Sequence, residues 1–185
     1  METKQGILQP VGGVSREIGF YLAGLEASRA QTVSIIKDLT PGELVQRFTP
    51  AFHQIGGLAL HLGECEYWWI QAGLAGRKLT DDDIKFDHIY DTTETDFALK
   101  GYTADDCIDF LARIHQCSID TLARFTDEDV DKVVRFEQHP EQLEGTLRWV
   151  LHRMTDHEAN HRGQMAMIKR LIRETPVKLS VDSRK

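Results

Sequence analysis

The sequence predicts an all-α protein, a four-helix bundle, and two observations carry the prediction. Four segments repeat apolar residues every three or four positions, and no segment shows the two-residue alternation of a strand. The segments are long, and proline or acidic stretches separate them, which suits helices packed around a shared core. A third feature concerns the interior: histidines interrupt the apolar seams of the second and fourth segments.

The first segment runs from about Val14 to Leu39, with Val14, Ile18, Tyr21, Leu25, Thr32, Ile35 and Leu39 along its seam. Pro41 ends it, because proline cannot continue a helix. Thr40-Pro41-Gly42-Glu43 then carries the signature of a new helix start: a capping threonine, a proline in the first position and a capping-box glutamate. The second long segment starts after Pro50 and ends near Gly73 or Gly76, with Gln54, Leu58, His61, Cys65, Trp68 and Ala72 on its seam. Residues 77–102 are polar and aromatic without a clear period and form a long connection, with a short helix or turn expected around Ile84 to Tyr90. The third helix is expected to begin at Thr103, with Asp105 and Asp106 favoured in its first turn by the helix dipole. Its seam is Cys107, Phe110, Ile114, Cys117, Thr121 and Phe125. The fourth runs from about Glu141 to Arg173, through Leu147, Val150, Met154, His157, His161, Gln164, Ile168 and Leu171. Those steps alternate three and four, the heptad spacing of near-parallel helices. The expected organisation is a single domain over residues 1–175 with a polar tail at 176–185.

Composition excludes several classes. The chain of 185 residues has 22 Lys and Arg against 29 Asp and Glu, a formal charge of -7. Nucleic acid and anionic membranes require clustered basic residues, and no such block occurs. No apolar leader or membrane-length stretch is seen. The 3 cysteines form no CxxC pair and suit small core thiols in a reducing compartment. The expected location is cytoplasmic.

Of the 8 histidines, His53, His88, His115, His139 and His152 fall outside the seams and are expected to be solvated or partly packed. His157 and His161 lie four apart on one face, where burying two unpartnered imidazoles would cost on the order of 1–3 kcal/mol each. His61 interrupts another seam, so the three can converge on one divalent metal. Three neutral imidazoles with an open side suit Zn, Ni, Fe or Mn, and the open side favours a catalytic over a purely structural site. Hydrogen bonding to Ser, Thr or backbone is the competing account.

His157-Glu158-Ala159-Asn160-His161 matches the HExxH pattern of zinc proteases. No histidine follows it, Glu174 is carried away along the helix, and no strand precedes it to hold a peptide. The paired ligands survive; the protease does not. Glu158 is expected as a base or a partner behind a ligand, with a solvated surface position as the alternative. Gln164 is expected to bond substrate or order a ligand, with hydrogen bonding within the core as an equal alternative. Cys65, one turn from His61, is read as a buried structural thiol before a fourth ligand. Arg162 is expected on the outer flank, Gly163 where another helix approaches closely, and Trp68 and Trp69 in the core or at an interface.

The run from His53 to Trp69 and the run Leu147 to Gln164, which ends His157-Glu158-Ala159-Asn160-His161-Arg162-Gly163-Gln164, resemble the DinB/YfiT-like superfamily. Helix order and lengths match over nearly the whole chain. The resemblance implies a four-helix bundle, frequently a homodimer, whose histidine triad falls by position on His61, His157 and His161. It also implies a metal, often Zn or Ni, and in characterised members a transferase or isomerase that uses bacillithiol, mycothiol or glutathione. The expected function is a metal-dependent transferase that activates a low-molecular-weight thiol, or water, for attack on a small electrophile. A non-catalytic metal-binding stress or regulatory protein and a metal-dependent hydrolase are the alternatives. One departure is visible: Asn or Ser is common in that family where this chain has His53 or Gln54.

Overall fold

The computed structural model describes residues 6–49, 52–79, 101–137, 139 and 143–174. Among the described residues the protein is all-α but for one small hairpin. Helix α1 spans Arg16–Ile36, α2 Pro41–Val45, α3 Ile55–Tyr67, α4 Ala104–Leu122 and α5 Leu147–Glu174. The four long helices pack in a ring: α1 against α5 and α4, and α3 against α4 and α5.

Local sequence accounts for most boundaries. At α2 the Thr40 side chain accepts from the Glu43 N–H, and Glu43 accepts from the Thr40 N–H, the reciprocal pair the sequence predicts. Thr103 and Asp106 do the same for α4. The start of α1 is capped from afar, where Asp127 Oδ1 accepts from the Glu17 N–H at 2.8 Å. Helix α3 runs on without a break into wider π-type turns over Trp68–Leu74, then stops at Gly76, whose φ of 65° favours glycine.

The start of the fourth helix departs from expectation. Residues Glu144–Thr146 form a strand, β2, paired antiparallel with β1 at Val133–Arg135, and α5 begins only at Leu147. Thr146 Oγ1 accepts from the Trp149 N–H and caps it. Strands of three residues are too short to show alternation, so no strand signal stands out in the sequence. The expected turn at Ile84 to Tyr90 and the tail at 176–185 lie outside the described residues. Cys117, expected inside, is exposed, and Cys107 is the buried thiol of α4, where burial pushes it up to about 12.

Two apolar clusters fill the interior. One gathers Ile36, Leu44, Ile55, Leu58, Leu111 and Ile168, the other Ile18, Leu22, Ile70, Leu122, Phe136 and Val150. Buried polar residues lie at positions between them: Arg29 and Thr32 on α1, Glu66 on α3, Ser118 on α4, Glu158 and His161 on α5. Arg29 Nη2 donates to Glu66 Oε2 and to Glu158 Oε2, both at 2.9 Å, and Nη1 donates to the Leu111 carbonyl. Glu158 Oε1 accepts from Thr32 Oγ1 at 2.5 Å. His115 on α4 joins through Nδ1, 2.9 Å from Glu66 Oε1, with Nε2 3.3 Å from Glu26.

Two tests follow from this packing. In urea unfolding, Thr103→Ala is expected to lose about 1 kcal/mol with its capping box. Gly163 is exposed, and a Cβ there meets nothing within 4 Å; Gly163→Ala is expected to gain about 0.5–1 kcal/mol. The second test concerns pH. Burial pulls the His115 imidazolium down, but the hydrogen bond and charge of Glu66 overcome it and its pKa is raised above 6.5. The stability it contributes is therefore full below 6.5 and is lost as pH rises through the folded value. His115→Gln should flatten that decline in stability curves measured from pH 6 upward, and an unchanged slope would count against it.

Candidate metal centre

The half-buried His61 projects from α3 with Cys65 one turn further on, while His157 and the buried His161 project from α5. His61 Nε2 lies 3.2 Å from His157 Nε2, and His161 Nε2 lies 3.0 Å from the same atom. Cys65 Sγ is 3.4 Å from His61 Nε2. The donor atoms of His61, Cys65 and His157 all fall within 4.8 Å of one another. The three sequence-predicted histidines are thus brought together, with a thiol beside them.

A ring nitrogen carries either one N–H or one lone pair, so His157 Nε2 has a single site for two facing nitrogens. His161 Nδ1 donates to Gln164 Oε1 at 2.8 Å, which leaves a lone pair on its Nε2. A cation between the rings satisfies all of them. Around a tetrahedral ion with bonds of roughly 2.0–2.1 Å, nitrogen ligands stand about 3.3–3.4 Å apart. The distances here are close to that spacing. Burial, then the charges of His157 and His161, pushes His61 down to about 3; burial, then His161 and Arg153, pushes His157 down to about 4. Both rings are held neutral, the form a metal requires.

The neighbours refine the expectations. Gln164 Oε1 accepts from His161 Nδ1. Glu158 is 1% exposed, so the solvated alternative is overturned. The buried stripe of α5 runs through Met154, Glu158, His161 and Met165, leaving His157 and Gln164 half-buried at its flank. Among the described residues nothing lies within 4 Å of a Cβ placed on Gly163, so its expected close approach is corrected. That role belongs to Gly63, where a Cβ would run into the Phe110 ring. Arg162 is half-buried and donates to Ser28 Oγ at 2.8 Å, tying α5 to α1. Trp69 is buried and Trp68 half-buried, packed edge-on at 4.8 Å. His115 serves the ion-pair layer, His139 packs 5.8 Å from Trp68, His152 is exposed, and His88 lies outside the described residues. Arg29 and Glu66 were not singled out in the sequence, since charged residues rarely sit fully buried. The i, i+4 spacing of His61 and Cys65 was the available signal for the thiol.

Beside these donors, Cys65, Glu66, His157 and Glu158 line a narrow cavity of about 10 Å³, room for about one water molecule. Among the described residues no helix is long and apolar enough to cross a membrane.

A solved structure described as a conserved protein from Enterococcus faecalis has the same fold at 15% identity, with a TM-score of 0.61, covering 84% of this chain and 96% of that one. None of the curated proteins matches the chain. The sequence profile of the mycothiol-S-transferase family matches residues 21–174. With that match across all four long helices, and with His61, Cys65 and His157 forming a group that could hold a metal, the chain belongs to the mycothiol-S-transferase family, which is DinB/YfiT-like.

Proposed function

We propose that the protein is a four-helix bundle that holds one divalent ion, Zn or Ni before Fe or Mn, on the Nε2 atoms of His61, His157 and His161. Its function is then to transfer a low-molecular-weight thiol to a small electrophile in the cytoplasm. The observation that carries this is three imidazole nitrogens meeting at 3.2 and 3.0 Å, close to the spacing of nitrogen ligands around one ion. Family membership supports the thiol.

When bound, such an ion lowers the pKa of a coordinated thiol or water, providing a nucleophile at neutral pH. The chain's own residues prepare the place for it. Gln164 accepts the His161 Nδ1 proton and so turns the Nε2 lone pair toward the site. Glu158 has one oxygen on Thr32 and the other on Arg29, which suits a positioning group that fixes α5 and hence His157 more than a base. The homodimer implied by resemblance is part of the same proposal.

One observation favours a second reading, a metal-binding protein without catalysis. Cys65 Sγ is close enough to complete a His₃Cys donor set, and four protein ligands mark a structural site. Elemental analysis after purification is expected to find about one divalent ion per chain in wild type and none in His61→Ala, His157→Ala or His161→Ala. Wild type free of metal would sink both readings. Gln164→Leu should weaken metal affinity by about 10- to 100-fold. Cys65→Ser separates the two: retained metal and retained thiol consumption support the transferase, whereas lost metal supports the closed site. Metal-loaded protein assayed with mycothiol, bacillithiol and glutathione against a panel of electrophiles should consume one thiol faster than buffer does; background rates with all three would leave the non-catalytic protein.

A further inference from the structure

His115 on α4 is half-buried at the outer end of the ion-pair layer and stands between two carboxylates. Its Nδ1 lies 2.9 Å from Oε1 of Glu66 on α3, and its Nε2 lies 3.3 Å from Oε1 of Glu26 on α1. The Glu66 side chain is 2% exposed and that of Glu26 is 47% exposed, so the imidazole joins the buried layer to a group that water reaches. Helix α1 also presents Arg29, whose Nη2 donates to the other oxygen of Glu66 at 2.9 Å. Among the described residues the charged groups facing His115 are thus Glu26 and Arg29 from α1 and Glu66 from α3. Glu158 of α5 stands behind Arg29, bonded to the same Nη2.

This arrangement makes the charge of the layer depend on one proton. Glu66 and Glu158 share a single guanidinium, and a guanidinium does not give up its proton. With an imidazolium at His115 the layer is neutral; with a neutral imidazole it carries one net negative charge. The Glu26 carboxylate is exposed enough for water and salt to screen it. The charge left on Glu66 and Glu158 lies in the interior, where Coulomb forces are screened far less. It also lies close to the candidate metal donors. Arg29, Glu66 and Glu158 line the same cavity as Cys65 and His157, and each carboxylate directly follows one of those donors in the chain. Because Glu66 outweighs the effect of burial, His115 exchanges its proton above 6.5, within reach of ordinary working pH.

We propose that His115 is a pH-sensitive regulator of the metal centre: its imidazolium cancels the charge of the layer and loosens the ion, and its neutral form leaves a negative layer that holds the ion more tightly. This rests on the three-histidine metal reading above. Linkage requires the reciprocal effect, so a bound dication lowers the affinity of His115 for its proton.

The test measures zinc affinity by competition with a chromophoric chelator from pH 6 upward, on wild type, His115→Gln and Glu26→Gln. Protons lost by the ligands themselves are common to all three proteins and cancel in the comparison. At pH 6 His115→Gln, whose layer stays negative, should bind zinc about fivefold or more tightly than wild type, the lower end of ordinary coupling between sites. The two curves should converge as pH rises. Glu26→Gln removes a carboxylate that helps to hold the proton, so its curve should bend at lower pH than that of wild type. Coincident curves for wild type and His115→Gln, or weaker binding by His115→Gln at pH 6, overturn the proposal and leave the metal reading standing. Zinc bound by none of them at any pH overturns the metal reading and the proposal with it. A second measurement follows the imidazole resonances of wild type by NMR across the same pH range, with and without zinc. The His115 resonance, missing from His115→Gln and displaced in Glu26→Gln, should titrate above 6.5 in metal-free protein and at lower pH once zinc is bound. A midpoint that zinc does not move overturns the proposal, and this reading holds even where His115→Gln fails to fold.

Discussion

The architecture depends on one buried cation. Arg29 is 9% exposed and reaches from α1 to carboxylates on α3 and α5 and to a carbonyl on α4, so one guanidinium touches every other long helix. Removing such a charge from water costs several kcal/mol, recovered only where partners and geometry are good. Here both partners are themselves buried, Glu66 at 2% and Glu158 at 1%. Burial would raise the Glu66 carboxyl, but Arg29, and after it His115 and Ser118, hold it below its ordinary range. Breaking one member strands the others, on the order of 3–5 kcal/mol for a buried pair.

That layer also sets register. Glu66 follows Cys65 directly and Glu158 follows His157 directly, so the cation that joins the carboxylates aligns the candidate metal donors of α3 and α5. An apolar core tolerates small slips between helices, because dispersion and burial are non-directional. Hydrogen bonds of 2.9 Å from one nitrogen to two carboxylates do not. A slip of one turn on α5 would carry its residues about 5.4 Å along the axis, beyond reach of both Arg29 and His61.

The readable part of this design is the part written in periodicity. Histidines in apolar seams pointed to His61, His157 and His161, and capping residues located the starts of α2 and α4. Glu66 escaped, and a solvated position stood as the alternative for Glu158, because a carboxylate on a helix is ordinarily solvated; only the distant Arg29 reveals why these two are not. The pattern also misled by one position on α5: reading the stripe through His157 and Gln164 put at its centre residues that flank it, while Glu158 and Met165 occupy it. Three-residue strands carry no period to detect. The thiol of Cys65 was within reach of helical geometry, yet the burial preference of cysteine favoured a structural role.

Charge balance links the layer to the centre above it. With His115 neutral, the buried layer holds one more carboxylate than guanidinium, and those carboxylates neighbour the residues that would ligate a dication. Three neutral imidazoles supply no negative charge, so a metal on them needs anions from the surroundings or from its remaining ligand. Once His115 has lost its proton, Glu66 and Glu158 supply net negative charge from below, where Arg29 and Thr32 prevent them from reaching in as ligands themselves. What is left for the open side is a ligand that brings its own anion. A thiolate would do so, and an ion held on the proposed histidine set, over this layer, would suit the proposed thiol chemistry better than one in a site closed by carboxylates.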